Sequence, residues 1–527
     1  MKYRLIFLLV AAALMVTSLA GCKDTPEKDA EETLPENTIV TPQIIEEIVS
    51  DGIFTMKYEP DAGFNPIRCS NKHNLVLTSL MYESLFVLDS GFTAQPVLCK
   101  EYSTEDGITY KFEVLQDIRM SDGSTLNSTD AAYSINRARI SERFMKRLEG
   151  IESASVTGDY TFEIVLTSPN YNLPALLDVP VIKYESLEMS APPGTGPYQY
   201  NGSDTEPKLV PFSEHRNYVA GGLAEIYLSD IAASKIAGEF SEQRIDLYET
   251  DPSSSDEMVI RTDHEIRFYD TTVMQYLGFN LSNTLLDDPE LRYAMSLAVD
   301  REYITKKIMS GNVWASPLLF SPAWYLYEKD WEKGTDYSVT ELVDRLTALG
   351  MDDRDNDGYL EYSREGVFSV FELTLIVNDE STDKVAAAQK IASTLDRVGI
   401  KVNLRELSWD DYVEALENNE YDLYYAETKL PADFDFSELF AQGGSLNYGA
   451  ITNDLYSTMI NAYKSAGTEE LRKAAAKALC EFAKNNAHIV PILYKKMAVH
   501  SHRGIVTGFS PSQSGVFGIT NGFKFDL

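Results

Sequence analysis

The period of apolar and polar positions changes along the chain, and each change marks an element. Residues 273–280 read Val-Met-Gln-Tyr-Leu-Gly-Phe-Asn, a β-branched and aromatic run that suits a buried strand. A polar turn follows, and Pro289 then opens a helix at a position where a missing N–H costs nothing. Leu291, Met295, Ala298, Val299, Ile304 and Ile308 recur close to a 3.6-residue period, predicting one helix with one buried face that ends at Gly311. Asp300 and Arg301 fall on it as a pair expected to be solvated. Upstream, residues 53–58, 109–114 and 161–166 read as strands, 75–86 as a helix, and Ser128-Thr129-Asp130 caps a helix running to Arg139. Downstream, 371–377, 385–398 and 400–404 spell strand, helix and strand, the sequence of a crossover between parallel strands. A helix over 409–416, a strand at 422–425, an Ala-rich helix over 469–485 and a strand at 489–494 complete an α/β pattern.

The chain has 527 residues, more than one core usually serves, so two or more lobes are expected. Its 81 acidic and 46 basic residues give a formal charge of −35, a field that repels phosphate backbones and argues against nucleic acid. Residues 1–21 carry Lys2 and Arg4, an apolar run over 5–16, and then Leu19-Ala20-Gly21 before Cys22. That is the pattern of a secretory signal. Its ending resembles a bacterial lipobox, which makes Cys22 the expected site of lipid attachment. Residues 22–50 are rich in Asp, Glu, Thr and Pro and read as an acidic flexible tether. Outside the cytoplasm a disulfide is open to Cys69 and Cys99, while Cys480 lies in the Ala-rich helix as a small buried residue.

The wording of the central stretch is more specific than its periodicity. Phe279-Asn280, Asp288-Pro289, Leu291-Arg292-Tyr293-Ala294, Ala298-Val299-Asp300-Arg301 and Gly311 together resemble the mid-chain signature of the family 5 extracellular solute-binding proteins. Tyr82-Glu83-Ser84-Leu85, Asp130-Ala131-Ala132-Tyr133-Ser134 and Gly194-Thr195-Gly196-Pro197-Tyr198 extend the resemblance, which spans about 53–525. It implies a two-lobed, periplasmic-binding-protein-like α/β fold joined by two crossings. Lobe I would take 51–272 and 500–527, with an inserted subdomain over about 70–194, and lobe II would take 273–499. It also implies a monomeric lipoprotein outside the bacterial membrane, or in a periplasm, that captures peptides and hands them to ABC permease subunits.

The loop at 427–445 follows a strand, and in such folds this places it at the ligand cleft. By the resemblance, Asp433 would pair with the peptide ammonium, with Asp435 its close competitor, and Asn447, Tyr448 and Trp324 would approach the ligand. The family's usual Trp upstream and Pro downstream are missing here, where Ala426-Glu427 and Phe436-Ser437 stand. Asp353, Asp355 and Asp357 with Gly358 match the first half of a calcium loop, but Arg364 occupies the twelfth position. Calcium is the one candidate ion, and no cofactor is otherwise expected. Other ligands carried in the family are oligosaccharides, nickel chelates and haem, and His500 with His502 is the only close histidine pair. A secreted hydrolase is the rival class. The chain lacks Gly-x-Ser-x-Gly and His-Glu-x-x-His, so no enzymatic activity is expected.

Overall fold

The computed structural model describes residues 53–525 except 204, 221–223, 255–262 and 365. The expected signal segment, Cys22 and the tether lie outside the described residues. The described strands include an 11-stranded mixed sheet. From one edge its order is Lys401–Leu407, Glu372–Asn378, Leu423–Lys429, Glu265–Phe279, Ile489–Ser501, Leu247–Thr250, Phe54–Lys57, Ile226–Ser229, Lys208–Pro211 and Tyr198–Tyr200, with Val313–Ala315 beside Ile489–Ser501. Two of these strands are long, Glu265–Phe279 and Ile489–Ser501, and they pair antiparallel from Glu265↔Ser501 to Gly278↔Ile489. A register shift between Asp270 and Met274 interrupts that pairing.

The crossover unit forms as the pattern predicts. Strand Glu372–Asn378, helix Thr382–Arg397 and strand Lys401–Leu407 follow in order, and the strands pair parallel from Glu372↔Lys401 to Asn378↔Leu407. The helix buries Ala388, Ile391, Ala392 and Leu395 against Leu373, Leu375 and Val377. Each large side chain so buried contributes about 1.5–3 kcal/mol. A separate core is built on Phe54, Met56, Leu77 and Leu80, closed by the C-terminal hairpin Val506–Ser512 and Gly515–Phe525 through Phe509 and Phe517. A four-stranded sheet, with Cys99–Ser103, Thr109–Val114, Thr161–Leu166 and Ile151–Val156 in that order, has a third core with helix Ser128–Ala138. Asn127 and Asp130 form a reciprocal capping box at the start of that helix. Gly194 and Gly196 lie against the end of helix Lys72–Met81 so closely that a Cβ on Gly196 would stand 2.4 Å from the Leu80 carbonyl oxygen. Only glycine fits there.

The central helix differs from the sequence expectation. It runs Pro289–Ser296, stops, and resumes as Arg301–Tyr303 leading into a π-helical turn, Ile304–Ile308. The break has two causes. The Ser338 N–H, from a distant segment, takes the Leu297 carbonyl at 3.1 Å, and the Asp300 carboxylate accepts the Tyr303 N–H at 3.0 Å as a new cap. Arg301 is buried rather than solvated, with Nε donating to the Pro491 carbonyl at 2.9 Å and Nη1 to Thr335 at 3.1 Å.

Candidate ligand-binding cleft

The strand Leu423–Lys429 lies between a parallel neighbour, Glu372–Asn378, and the antiparallel long strand Glu265–Phe279. Its last residue, Lys429, pairs with Val273, and the chain then turns out of the sheet at Leu430, whose N–H bonds the Thr272 carbonyl at 3.1 Å. Phe434 sits in this turn with φ +54°, a left-handed conformation that a bulky side chain seldom adopts. Packing enforces it. Phe92, Phe320 and Trp324 surround the Phe434 ring at centroid distances of 5.6, 5.4 and 5.8 Å. The Tyr463 hydroxyl donates to the Asp433 carbonyl at 2.9 Å, so the backbone beside the strained residue is held from two directions.

Asp433 is 3% exposed. Its Oδ2 accepts from the Asn170 side-chain amide at 2.8 Å and its Oδ1 from the Asp435 N–H at 3.3 Å. Among the described residues it has no ion pair of its own, because Lys464 binds Asp435 instead. Burial first, and the neighbouring Asp435 second, push the Asp433 carboxyl up to about 6, against the attraction of Lys464. Burial acts on Asp435 in the same sense, but the Lys464 ammonium outweighs it and holds that carboxyl below the usual range. The pair thus divides one cation between two acids.

Both carboxylates line a cavity of about 1430 Å³. The site loop, with Lys429 to Asp435, lines it from one part of the chain, and Glu83, Arg143, Arg147 and Asn170 line it from another. Contacts cross between the two at Asn170–Asp433 and at Lys146–Glu438, 3.5 Å apart. Glu83 is gripped by Arg216 at 2.5 Å on both oxygens, with His215 at 3.8 Å. Burial opposes its ionisation, yet the neighbouring His215 and the hydrogen-bonded Arg216 guanidinium keep its carboxyl below the ordinary glutamate range. Behind the site strand, Glu427 bonds Lys384 at 3.2 Å and Lys495 at 3.3 Å, and Lys495 also bonds Asp251.

Of the residues singled out in the sequence, Asp433 and Asp435 come together at the cavity, and the others do not. Asn447 spends its side chain on the Ala441 and Ile451 carbonyls and the Ile451 N–H. Tyr448 is half-buried, with its carbonyl taken by the Tyr421 hydroxyl and its ring against Tyr424. Trp324 is buried against Phe320 and Phe434, where it supports the loop from behind. None of the three lines the cavity. Cys69 and Cys99 are free, buried thiols, so the expected bridge does not form; Cys99 packs in the core of the four-stranded sheet while Cys69 reaches the Asn71 carbonyl. Asp353, Asp355 and Asp357 do converge, and Glu361 joins them with one oxygen from each within 4.8 Å of the rest. These acids also accept backbone N–H groups of their own turn, Asp353 from Gly358 and Glu361 from Arg354. His500 pairs with His264 at 3.1 Å and Thr250 at 2.9 Å, while His502 stacks on Phe240, and neither lines the cavity.

Sequence reasoning missed Asn170, Lys464, Arg143, Arg147 and Lys429. Asn170 and Asp433 are 263 residues apart, and nothing local to either announces the other. Lys429 carried a signal, since it is the last residue of the strand that feeds the loop.

The fold and the cavity define a two-lobed ligand-binding protein. The description "Bacterial extracellular solute-binding proteins, family 5 Middle" matches residues 93–445, and the chain belongs to this family. It is 22% identical over 416 residues to the oligopeptide-binding protein AppA of Bacillus subtilis (strain 168), covering 73% of this chain and 75% of that protein. The structure of AppA from Bacillus subtilis in complex with a nonapeptide is similar with a TM-score of 0.64 at 17% sequence identity, over 90% of this chain and 98% of that one. HbpA2 from Haemophilus parasuis is similar with a TM-score of 0.74 at 17% identity, over 90% and 99%.

Proposed function

We propose that the protein captures peptides between its lobes and delivers them to the permease of an ABC importer. The observation that supports this most is Asp433, a buried carboxylate lining a large cavity and, among the described residues, in no ion pair of its own. A buried ionised acid of this kind gains most from a ligand ammonium, which supplies the missing charge in a place where water cannot. The curated relatives point the same way, since AppA is named as an oligopeptide-binding protein. A volume of about 1430 Å³ leaves room for several residues of ligand with bridging waters. Closure is then a hinge motion about the two long strands, and a ligand touching both walls stabilises the closed form. In this reading Cys22 carries the lipid that holds the chain at the outer face of the membrane, and the lobes work as a monomer.

The test is the thermal midpoint of the chain from residue 23, alone and with pools of tri- to octapeptides, oligosaccharides and nickel chelates. A ligand selective for the folded state at a hundred times its Kd adds about 2.7 kcal/mol and raises the midpoint by several degrees. A rise with peptides alone supports the proposal. A rise with sugars or chelates and none with peptides keeps the fold and overturns the substrate.

A further inference from the structure

We infer that Phe92, which stands outside the cavity, is a positioning residue for ligand capture: its ring holds Phe434 in place and so sets the backbone from which Asp433 meets the ligand ammonium. The inference rests on the peptide reading and adds to it the distant part of the chain that keeps the acid aimed.

Phe92 lies at the tip of the hairpin formed by Phe86–Leu88 and Ala94–Pro96. The base of that hairpin belongs to the core of the four-stranded sheet, where Leu85, Phe86 and Leu98 are buried. The tip leaves this core for another. Phe92 is 3% exposed and packs with Phe320, Trp324, Phe434 and Tyr463. Its ring meets that of Phe434 at 5.6 Å and 87°, the edge-to-face arrangement that aromatic pairs favour. The tip is built to present it. Asp89 Oδ1 accepts the Gly91 and Thr93 N–H groups, both at 2.9 Å, and its Oδ2 accepts the Gln95 side-chain amide at 2.8 Å. The Tyr325 N–H donates to the Gly91 carbonyl at 3.2 Å, which fastens the tip to the segment carrying Trp324.

Phe92 and Phe434 both have positive φ, +61° and +54°. Bulky residues keep such a conformation only where their surroundings dictate it. Phe434 separates Asp433 from Asp435, so its φ sets the angle between the two acids. A return to ordinary negative φ would swing Asp435 away and break the 3.3 Å bond from its N–H to Asp433 Oδ1. Asn170, which holds the other oxygen of Asp433, is tied to the same four-stranded sheet: its N–H bonds the Gly107 carbonyl at 2.9 Å, and its carbonyl accepts the Tyr110 hydroxyl at 2.7 Å. The next N–H, that of Tyr171, bonds the Lys464 carbonyl at 2.8 Å. One remote unit therefore grips the carboxylate, the ring beside it and the backbone of the lysine that serves Asp435. Binding groups work when held to within about 0.5 Å, and this grip supplies that precision. Asp89, Gly91 and Phe92 do not line the cavity, so substitutions there reach the ligand through the site loop.

Calorimetric titration of the chain from residue 23 tests this, with Ala-Ala-Ala and N-acetyl-Ala-Ala-Ala added to the wild type, Phe92→Ala, Phe92→Leu and Asp89→Ala. Phe92→Ala is expected to weaken Ala-Ala-Ala at least about tenfold and the acetylated peptide less than about threefold, because only the first carries the ammonium. Phe92→Leu refills most of the space without the ring and should lose less than Phe92→Ala, with the same selectivity between the peptides. Asp89→Ala frees the tip, keeps the ring and should show that selectivity too. These two variants decide the matter if Phe92→Ala does not fold. Equal losses for both peptides, or no loss in any variant, overturn the positioning role and leave peptide capture standing. Equal affinity of the wild type for both peptides overturns the ammonium reading and the positioning role together, and binding of neither overturns peptide capture as well.

Discussion

Replacing Asp433 by Asn should stabilise the ligand-free protein at neutral pH, and the size of the effect follows from the pair it belongs to. Its carboxyl is raised from the ordinary 3.8 to about 6 by burial and by Asp435. At about 1.4 kcal/mol per unit, keeping it ionised at pH 7 costs the folded chain roughly 3 kcal/mol. Asn removes the charge. Asn has one oxygen where Asp433 uses two, one for the Asn170 amide and one for the Asp435 N–H. Losing one of those bonds returns about 1 kcal/mol. The net gain is about 2 kcal/mol at pH 7. The pH dependence carries the sign: for an acid whose folded value is raised, the wild type recovers stability as pH falls through about 6, and recovery is complete below the unfolded value. The variant's advantage must therefore shrink on going from pH 7.5 to 4.5. Urea unfolding midpoints of both proteins at the two pH values measure it. A variant less stable than wild type at pH 7.5, or a difference unchanged between the two pH values, refutes the reasoning.

Three further outcomes are expected. Lys495→Met leaves Glu427 with Lys384 and the Gln275 amide and removes the ammonium from Asp251, costing about 2–3 kcal/mol by calorimetry at pH 7. Burial opposes the charge on Glu427, but its lysines hold the carboxyl low, so that loss fades as pH falls through the depressed value; a loss constant with pH contradicts the assignment. Gly278→Ala puts a Cβ 2.1 Å from the buried Tyr424 ring, where both strands are fixed on two sides, and should cost roughly 3 kcal/mol or more in urea midpoint; a neutral result would mean the strands part easily. Thiol titration of the chain from residue 23 should count three thiols in guanidinium and few in the native state, whereas one thiol in guanidinium would mean that Cys69 and Cys99 are bridged.

Those parts of the fold that depend on near neighbours are legible in the sequence. The strand, helix and strand at 372–407 could be read because each buries one face against the next, and the period shows it. The central helix could not, because a remote amide, that of Ser338, takes the Leu297 carbonyl where periodicity alone would continue the helix. Asp300 in mid-pattern was the local hint, since an aspartate favours a cap over a helix interior. At the cleft, the loop after a strand marked the segment and the family resemblance singled out Asp433 within it, whereas its partner Asn170 and the cation Lys464 arrive from other elements. Arg143 and Arg147 lie in a turn-rich segment after the helix Ser128–Ala138, where no period marks a face, and only the fold brings them to the cavity. Trp324 was associated with the cleft, but it acts from behind by bracing Phe434.

The measurement that tests the central claim most directly is a binding cycle: Ala-Ala-Ala and N-acetyl-Ala-Ala-Ala, each titrated calorimetrically into the wild type and Asp433→Asn. If the ligand ammonium sits on Asp433, acetylation and substitution each cost about 2–5 kcal/mol singly. Together they cost little more than either alone, a coupling of at least about 1.5 kcal/mol. Independent, additive losses, or a free peptide that binds the variant as tightly as the wild type, would contradict an ammonium anchored at Asp433.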